Sequence, residues 1–348
     1  PLHHHRVIIK MMAATTTTMA TRQHAAGRRH GSAAGLHQVT SAAAVLLAAL
    51  LAAATAPTPA TAERHVTAAA HHLCVVTPGD AVQCSGDEFL GASSKTTVPA
   101  GIPFMAVTAG DAFTCGLATN GTTVCWGEFP GATPSLIDKF IDIHAGANNV
   151  CGLTKVGIVR CYGNATAGVN TVPTGPYQGV STGTDVACGV KRDHTIACWG
   201  DGTNPVISAL PPSITDADHV SVGLNHACYV TTTGTLTCWG DNTFGQAAVP
   251  ADVNTASAVW WLSAGGRSTC VISGSSADNM VPPGQLTCWG ESTGDLTGMS
   301  AYEVACSAWG CIVSEDAGNG AAKTSFAATS LAGVPIPRAY AMAHWVGG

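Results

Sequence analysis

Fourteen cysteines are the residues in this chain best suited to chemistry. Such a set either holds metal or forms disulfides. Zinc sites bring cysteines together in close Cys-x-x-Cys steps, and no such step occurs. Five pairs instead keep a ten-residue step: Cys74 with Cys84, Cys115 with Cys125, Cys151 with Cys161, Cys188 with Cys198 and Cys228 with Cys238. A sixth pair, Cys270 with Cys288, has the step stretched to eighteen by Gly- and Ser-rich sequence. Regular pairing of this kind predicts disulfides and an oxidising compartment.

No other constellation carries chemistry. The histidines group at His3, His4, His5 and at His71, His72, with singles such as His144, His194, His226 and His344. None has metal-ligand spacing with a carboxylate. No Gly-x-Ser-x-Gly elbow is present, and no local signature supports a serine–histidine–aspartate set. No catalytic residue, cofactor or metal site is therefore expected.

Two surface features remain. The residue after each Trp-Gly or Ser-Gly is acidic in five copies: Asp87, Glu128, Asp201, Asp241 and Glu291, with Asn164 in the same place in a sixth. Either these residues close turns by bonding the backbone two positions on, or they form an acidic rim that attracts a basic peptide or a cation. Two glycosylation sequons stand at Asn120-Gly121-Thr122 and Asn164-Ala165-Thr166.

The elements that position the cysteines are hairpins. In Ala227–Gly240 a cysteine opens a short apolar run, a turn follows at Thr233-Gly234, and a second run ends in Cys238-Trp239-Gly240. The cysteines lie symmetrically about the turn, as a cross-strand pair in an antiparallel hairpin requires. A strand with a small-residue corner precedes each hairpin (Val107–Gly110, Val180–Gly183, Val220–Gly223, Leu262–Gly265). Most copies close on an apolar-Pro pair such as Val172-Pro173 or Val249-Pro250. First cysteines fall at 74, 115, 151, 188, 228, 270 and 311. For the seventh copy, Gly310-Cys311-Ile312-Val313 is matched to Thr269-Cys270-Val271-Ile272. Cys306 then falls in the strand before, and Cys306 and Cys311 form either an improvised pair or two separate thiols. The seventh blade, without its second cysteine, is expected to be the weakest.

A repeat near 40 residues, with several strands per unit, is the pattern of a β-propeller blade. The expected fold is all-β, a seven-bladed β-propeller over 63–338 with an intra-blade disulfide in most blades. The aromatic after the second cysteine is expected to pack between blades. Each bridge closes a small loop and is expected to add roughly 2–3 kcal/mol.

Residues 1–62 hold no Asp or Glu, place Arg22, Arg28 and Arg29 before the apolar run 42–54, and end in Ala60-Thr61-Ala62. They read as a leader and secretory signal peptide, with a plastid transit peptide as the alternative. Met11, Met12 or Met19 could be the true start. The apolar run is too short for a comfortable membrane span, and nothing after residue 63 approaches one. Residues 339–348 form a C-terminal tail. From residue 63 onward, ten basic residues face twenty-one acidic ones, a net charge of −11. That balance argues against nucleic acid as a partner.

The run Gly-x-x-x-x-Cys-x-(Leu/Val)…Gly-x-(Val/Leu)-x-Cys-Trp-Gly, continuing in Asp241-Asn242-Thr243-Phe244-Gly245-Gln246, resembles the regulator of chromosome condensation repeat. With a cysteine pair in each blade, residues 66–338 are similar to the ectodomain of Crinkly-type plant receptor kinases. The resemblance implies an extracellular recognition module with a peptide or protein ligand, in cell-surface signalling. In that family a membrane span and a serine/threonine kinase follow the propeller. This sequence carries neither span nor kinase motifs, so it is expected to be a receptor fragment or a free secreted propeller acting as a binder or inhibitor. Nucleotide exchange on a nuclear GTPase, the activity of the founding repeat family, conflicts with a signal peptide and disulfides.

Overall fold

In the computed structural model the chain divides into two units, Pro1–Ala62 and Glu63–Gly348. The structure describes residues 66–69, 72–77, 79–86, 93–134, 138–256, 258–274, 284–291, 300–307, 310–316 and 322–328. The expected leader, the tail, His71, His344 and Asp87 lie outside the described residues.

Among the described residues the second unit is built from antiparallel sheets, five of three strands and one of six, which together make seven three-stranded blades. Blade one is β1 (Val66–Ala68), β2 (His72–Thr77) and β3 (Ala81–Gly86). Blade two is β4 (Phe104–Ala109), β5 (Phe113–Ala118) and β6 (Thr123–Gly127), and blade three is β7 (Phe140–Ala145), β8 (Asn149–Thr154) and β9 (Val159–Gly163). Blade four is β10 (Tyr177–Thr182), β11 (Val186–Lys191) and β12 (Ile196–Gly200), and blade five is β13 (Ala217–Val222), β14 (His226–Thr231) and β15 (Leu236–Gly240). Blade six is β16 (Ala258–Ala264), β17 (Ser268–Gly274) and β18 (Gly284–Gly290); blade seven is β19 (Ser300–Cys306), β20 (Gly310–Asp316) and β21 (Ala322–Ala328). A two-residue pairing of β18 with β19 joins the last two sheets. The ring closes where β1 packs on β19 and β20, and Val66 N donates to the buried Glu303 carboxylate at 3.2 Å.

Each hairpin forms for local reasons. In blade five the Gly234 amide donates to Thr231 O at 2.9 Å, and Gly234 takes a φ of 87° that favours glycine. Blade four puts His194 at the equivalent place, with φ 66°, and its Nδ1 lies 2.9 Å from Ala217 O on the next blade. The cysteines stand directly opposite one another in register. All six expected pairs are bonded: Cys74 to Cys84, Cys115 to Cys125, Cys151 to Cys161, Cys188 to Cys198, Cys228 to Cys238 and Cys270 to Cys288. The two ends of a bridge differ in burial. Cys74 and Cys115 are 0% exposed, whereas their partners Cys84 and Cys125 on the outer strands are only partly buried. Six inner strands carry a register shift near their start, as between Tyr177 and Gly179. That bulge bends the strand and adds twist, and nothing in the sequence pattern marks it.

Apolar burial lies between blades. Val186, Cys188 and Val190 of blade four pack against Ala217, Val220 and Trp239 of blade five, and the other clusters repeat the arrangement. The aromatic after the second cysteine thus reaches the preceding blade, as expected. Its indole N–H also donates to that blade's closing segment: Trp126 to Lys95 O, Trp199 to Val169 O, Trp239 to Val206 O and Trp289 to Gln246 O, at 2.6–3.0 Å. A second stitch runs along the inner strands. Thr67, Thr108, Ser181, Ser221 and Ser263 each accept the backbone amide of the next blade through the side-chain oxygen, at 2.8–3.1 Å. The corner glycines serve close approach: a Cβ on Gly183 would lie 2.3 Å from Gly223 O, and one on Gly223 2.2 Å from Gly265 O. These corners need the absence of a side chain, not a left-handed backbone.

Blade seven corrects the expected alignment. In blade six Ser263 faces Cys270 and Ala264 faces Thr269. In blade seven Ala305 faces Ile312 and Cys306 faces Cys311. Ile312 therefore holds the first-cysteine position, and Cys311 the position of Thr269. The local likeness of Gly310-Cys311 to Thr269-Cys270 is one residue out of register. Cys306 and Cys311 are nonetheless bonded, across β19 and β20 instead of β20 and β21.

Between blades five and six lies a buried titratable group. Thr269 Oγ1 donates to Gln246 O at 2.8 Å and lies 2.9 Å from His226 Nε2. The hydroxyl has one proton, so Nε2–H must be the donor to it. Nδ1 is then a buried acceptor with no hydrogen-bond partner. Burial pushes the His226 pKa down to about 4, partly offset by the Asp241 charge.

Two outcomes are expected. Trp239→Phe should leave Val206 O without its donor and cost about 1–2 kcal/mol, read by denaturant melts, with Trp239→Ala costing more. The unfolded chain takes up a proton at His226 near pH 6.5, whereas the fold resists until about 4. Stability should therefore be full above pH 6.5 and fall by about 3 kcal/mol as the pH drops toward 4. Urea melts across that range check it, and His226→Gln should flatten the slope.

Candidate functional site

The face that bears the corners is where the acidic positions gather. Each outer strand ends beside the corner of its own blade, and one backbone bond fixes the residue that follows. Glu128 N donates to Ala112 O, Asn164 N to Asn148 O, Asp201 N to Asp185 O, Asp241 N to Asn225 O and Glu291 N to Arg267 O, at 2.7–3.0 Å. The glycine before it permits this: Gly240 has φ 98°, and a Cβ there would meet Asn225 O at 2.6 Å. The five residues are therefore equivalent around one face. The hairpin tips, including the exposed Asn120, lie at the opposite ends of the strands.

At three of these positions the side chain closes a turn. Asp201 Oδ1 accepts from Thr203 N at 2.9 Å and from Thr203 Oγ1 at 2.8 Å. Asp241 Oδ1 does the same with Thr243, at 3.0 and 2.5 Å, and its Oδ2 accepts from Gln246 Nε2 at 3.0 Å. Asn164 Oδ1 accepts from Thr166 N at 3.0 Å and Thr166 Oγ1 at 2.9 Å. The hydrogen bonds from Thr203 hold the Asp201 carboxyl below the usual range, and those from Thr243 lower Asp241. The same bonds favour the ionised form, so each closes its turn and still presents a charge.

The other positions differ. Glu291 is paired with Arg267 at 3.0 Å, and that guanidinium also stacks 4.3 Å from the centre of the partly exposed Phe244 ring. Glu128 is exposed. Asp185, which sequence reasoning missed, joins Asp201, Thr166 and Ala167 around a shallow depression of about 320 Å³. Its carbonyl anchors Asp201, so repeat alignment of the corner loops could have found it. Of the histidines, His144 lies 3.3 Å from Asp142, while His194 and His226 are spent on the blade contacts above.

The cysteines stand apart from this face. Cys84 in β3 and Cys125 in β6 each sit two residues before the strand-ending glycine, Gly86 and Gly127. Each is spent on its bridge, to Cys74 and to Cys115, and so braces a strand that carries the face without joining the acidic set. Cys161, Cys198 and Cys238 occupy the same place in β9, β12 and β15. Among the described residues no cysteine is a free thiol.

The fold and this face can be set beside known proteins. Residues 217–246, blade five and the turn after it, match the family model of the regulator of chromosome condensation (RCC1) repeat. The entire ectodomain of the Physcomitrella patens receptor kinase CR4 is similar, with a TM-score of 0.63 and 21% identity, over 79% of this chain and 75% of that one. The CRINKLY WD40 ectodomain of the Arabidopsis thaliana receptor kinase ACR4 matches with a TM-score of 0.57 and 21% identity, over 72% of this chain and 90% of that one. Prp20p from Saccharomyces cerevisiae, described with its binding to Gsp1p and histones, matches at 0.55 and 13% identity, over 70% of this chain and 80% of that one. By fold, then, the chain is an all-β propeller of RCC1-type repeats resembling the Crinkly receptor kinase ectodomains, with a disulfide across the outer hairpin of six blades and across the inner hairpin of the seventh.

Proposed function

We propose that this propeller is an extracellular recognition module, the ligand-facing part of a receptor-like kinase, and that it binds a peptide or protein through its corner face. The observation that supports this most is the set of seven disulfides on a fold shared with two receptor kinase ectodomains. Cross-links of this number belong to oxidising compartments. Asp185, Asp201 and Asp241 give the face a negative field, and a ligand segment rich in Lys and Arg is its electrostatic complement. The sequons at Asn120 and Asn164 would carry glycans on opposite faces. The signal-peptide reading of residues 1–62 belongs to the same proposal.

Asparagine separates charge from turn, because Asn164 makes the same turn as Asp201 and Asp241. Asp201→Asn should leave stability within about 0.5 kcal/mol, whereas Asp241→Asn also loses the acceptor of the Gln246 Nε2 hydrogen bond and should cost about 1–2 kcal/mol. The two together should weaken binding of a Lys/Arg-rich probe peptide by about tenfold. Asp201→Ala should cost about 1 kcal/mol, as losing a cap-type side-chain acceptor does. Fluorescence polarisation with the basic peptide and its Glu-substituted counterpart, in low and high salt, reads the first effect. Equal binding of both peptides would refute the acidic face as the ligand site. Enzymatic release of N-glycans from secreted protein should shift the mass of the Asn120 and Asn164 peptides, and an unshifted peptide removes that site.

A further inference from the structure

In blades two and six the residue one position before the first cysteine touches the first cysteine of the blade before it. Thr114 Oγ1 lies 3.9 Å from Cys74 Sγ, and Thr269 Oγ1 lies 3.9 Å from Cys228 Sγ. In blade seven that position is Cys311, and its Sγ lies 3.6 Å from Cys270 Sγ of blade six. Two disulfides, Cys270–Cys288 and Cys306–Cys311, therefore meet sulfur to sulfur. The Sγ atoms of Cys270, Cys306 and Cys311 all lie within 4.8 Å of one another. In blades two and six the contact is made by a hydroxyl, which cannot exchange.

Access is graded across the cluster. Cys270 is 0% exposed, Cys311 2% and Cys288 8%, whereas Cys306 is only partly buried. An incoming thiolate therefore meets Cys306 first, and a partly exposed disulfide is the kind open to exchange. Attack there leaves the electron pair on the one sulfur already in contact with the next bridge.

We propose that blades six and seven form a thiol–disulfide exchange site, in which an external dithiol converts two bridges within the blades into one bridge between them. A thiolate of the dithiol attacks Cys306 Sγ, forming a mixed disulfide and releasing Cys311 as thiolate. Cys311 attacks Cys270 Sγ; the Cys270–Cys311 bond forms, the Cys270–Cys288 bond breaks, and Cys288 leaves and takes a proton. The second thiol of the dithiol attacks its own bound sulfur, freeing Cys306, which takes the other proton. The dithiol is oxidised by two electrons to its disulfide, and the protein exchanges two bridges for one bridge and two thiols. The product ties β17 to β20 across the blade boundary, next to the ring seam at blade one.

The test is a titration of the intact native protein with dithiothreitol in the presence of a chelator, then rapid alkylation and peptide mapping. A Cys270–Cys311 linked peptide is expected, with Cys288 and Cys306 alkylated in parallel and the other five bridges intact. In Cys311→Ser, alkylation of Cys288 should stay at the level of the untreated protein under the same dose. Alkylation of Cys306 and Cys311 with Cys270–Cys288 intact would overturn the proposal. So would alkylation of all four without the linked peptide, or resistance of all seven bridges until the protein unfolds. Should Cys311→Ser fail to fold, the wild-type map alone decides.

Discussion

Among the described residues no blade of this propeller buries a core of its own. A three-stranded sheet offers its apolar faces only to the sheets on either side, so every cluster is shared by two neighbours. That constraint governs the rest of the structure. It requires the ring to close, which β1 does against β19 and β20. It requires the corners to approach within backbone contact, which Gly183 and Gly223 allow by lacking a Cβ. It also requires the polar groups at each interface to be satisfied across it, which the tryptophan N–H groups and inner-strand hydroxyls achieve.

The disulfides answer a different need. Each of the first five closes a ten-residue loop, so it restrains a hairpin and not the ring. The first sulfur of each pair is nevertheless wholly buried at the blade boundary, in contact with the neighbour, while second cysteines such as Cys84 and Cys125 stay partly exposed. A staple of local origin thus becomes part of the interface. Blade seven shows the separation of the two functions. It has Ile312 where a cysteine belongs and a bridge moved to the inner hairpin, yet Val304 and Val313 still pack on blade six and Ala264 still faces Thr269 across an intact neighbour.

On the corner face, one carboxylate serves two purposes. Asp201 and Asp241 each use one oxygen to close a turn, and the hydrogen bonds that do so also favour the ionised form. Turn closure and negative charge are therefore compatible readings of the same residues, and Asn164 marks the position where the turn is kept without the charge. Glu291 departs from the pattern, since its length suits a pair with Arg267 better than an Asx-type turn.

The repeat, the hairpins and the six cysteine pairs were legible in the sequence because their causes are local. Two cysteines set symmetrically about a glycine turn can face each other in only one way, and the glycine, apolar and cysteine spacings recur along the chain. The acidic positions were legible for the same reason, as one residue per repeat. Tertiary structure alone decided what depends on register between segments. The inner-strand bulges, the hydroxyl stitches and Asp185 beside Asp201 depend on neighbours more than thirty residues away or across a corner. The seventh blade is the clearest case. Local likeness placed Cys311 opposite the wrong partner, because a one-residue slip in a strand changes little in its composition but turns every side chain to the other face. Only the pairing of Cys306 with Cys311 and Ala305 with Ile312 shows which sulfur meets blade six.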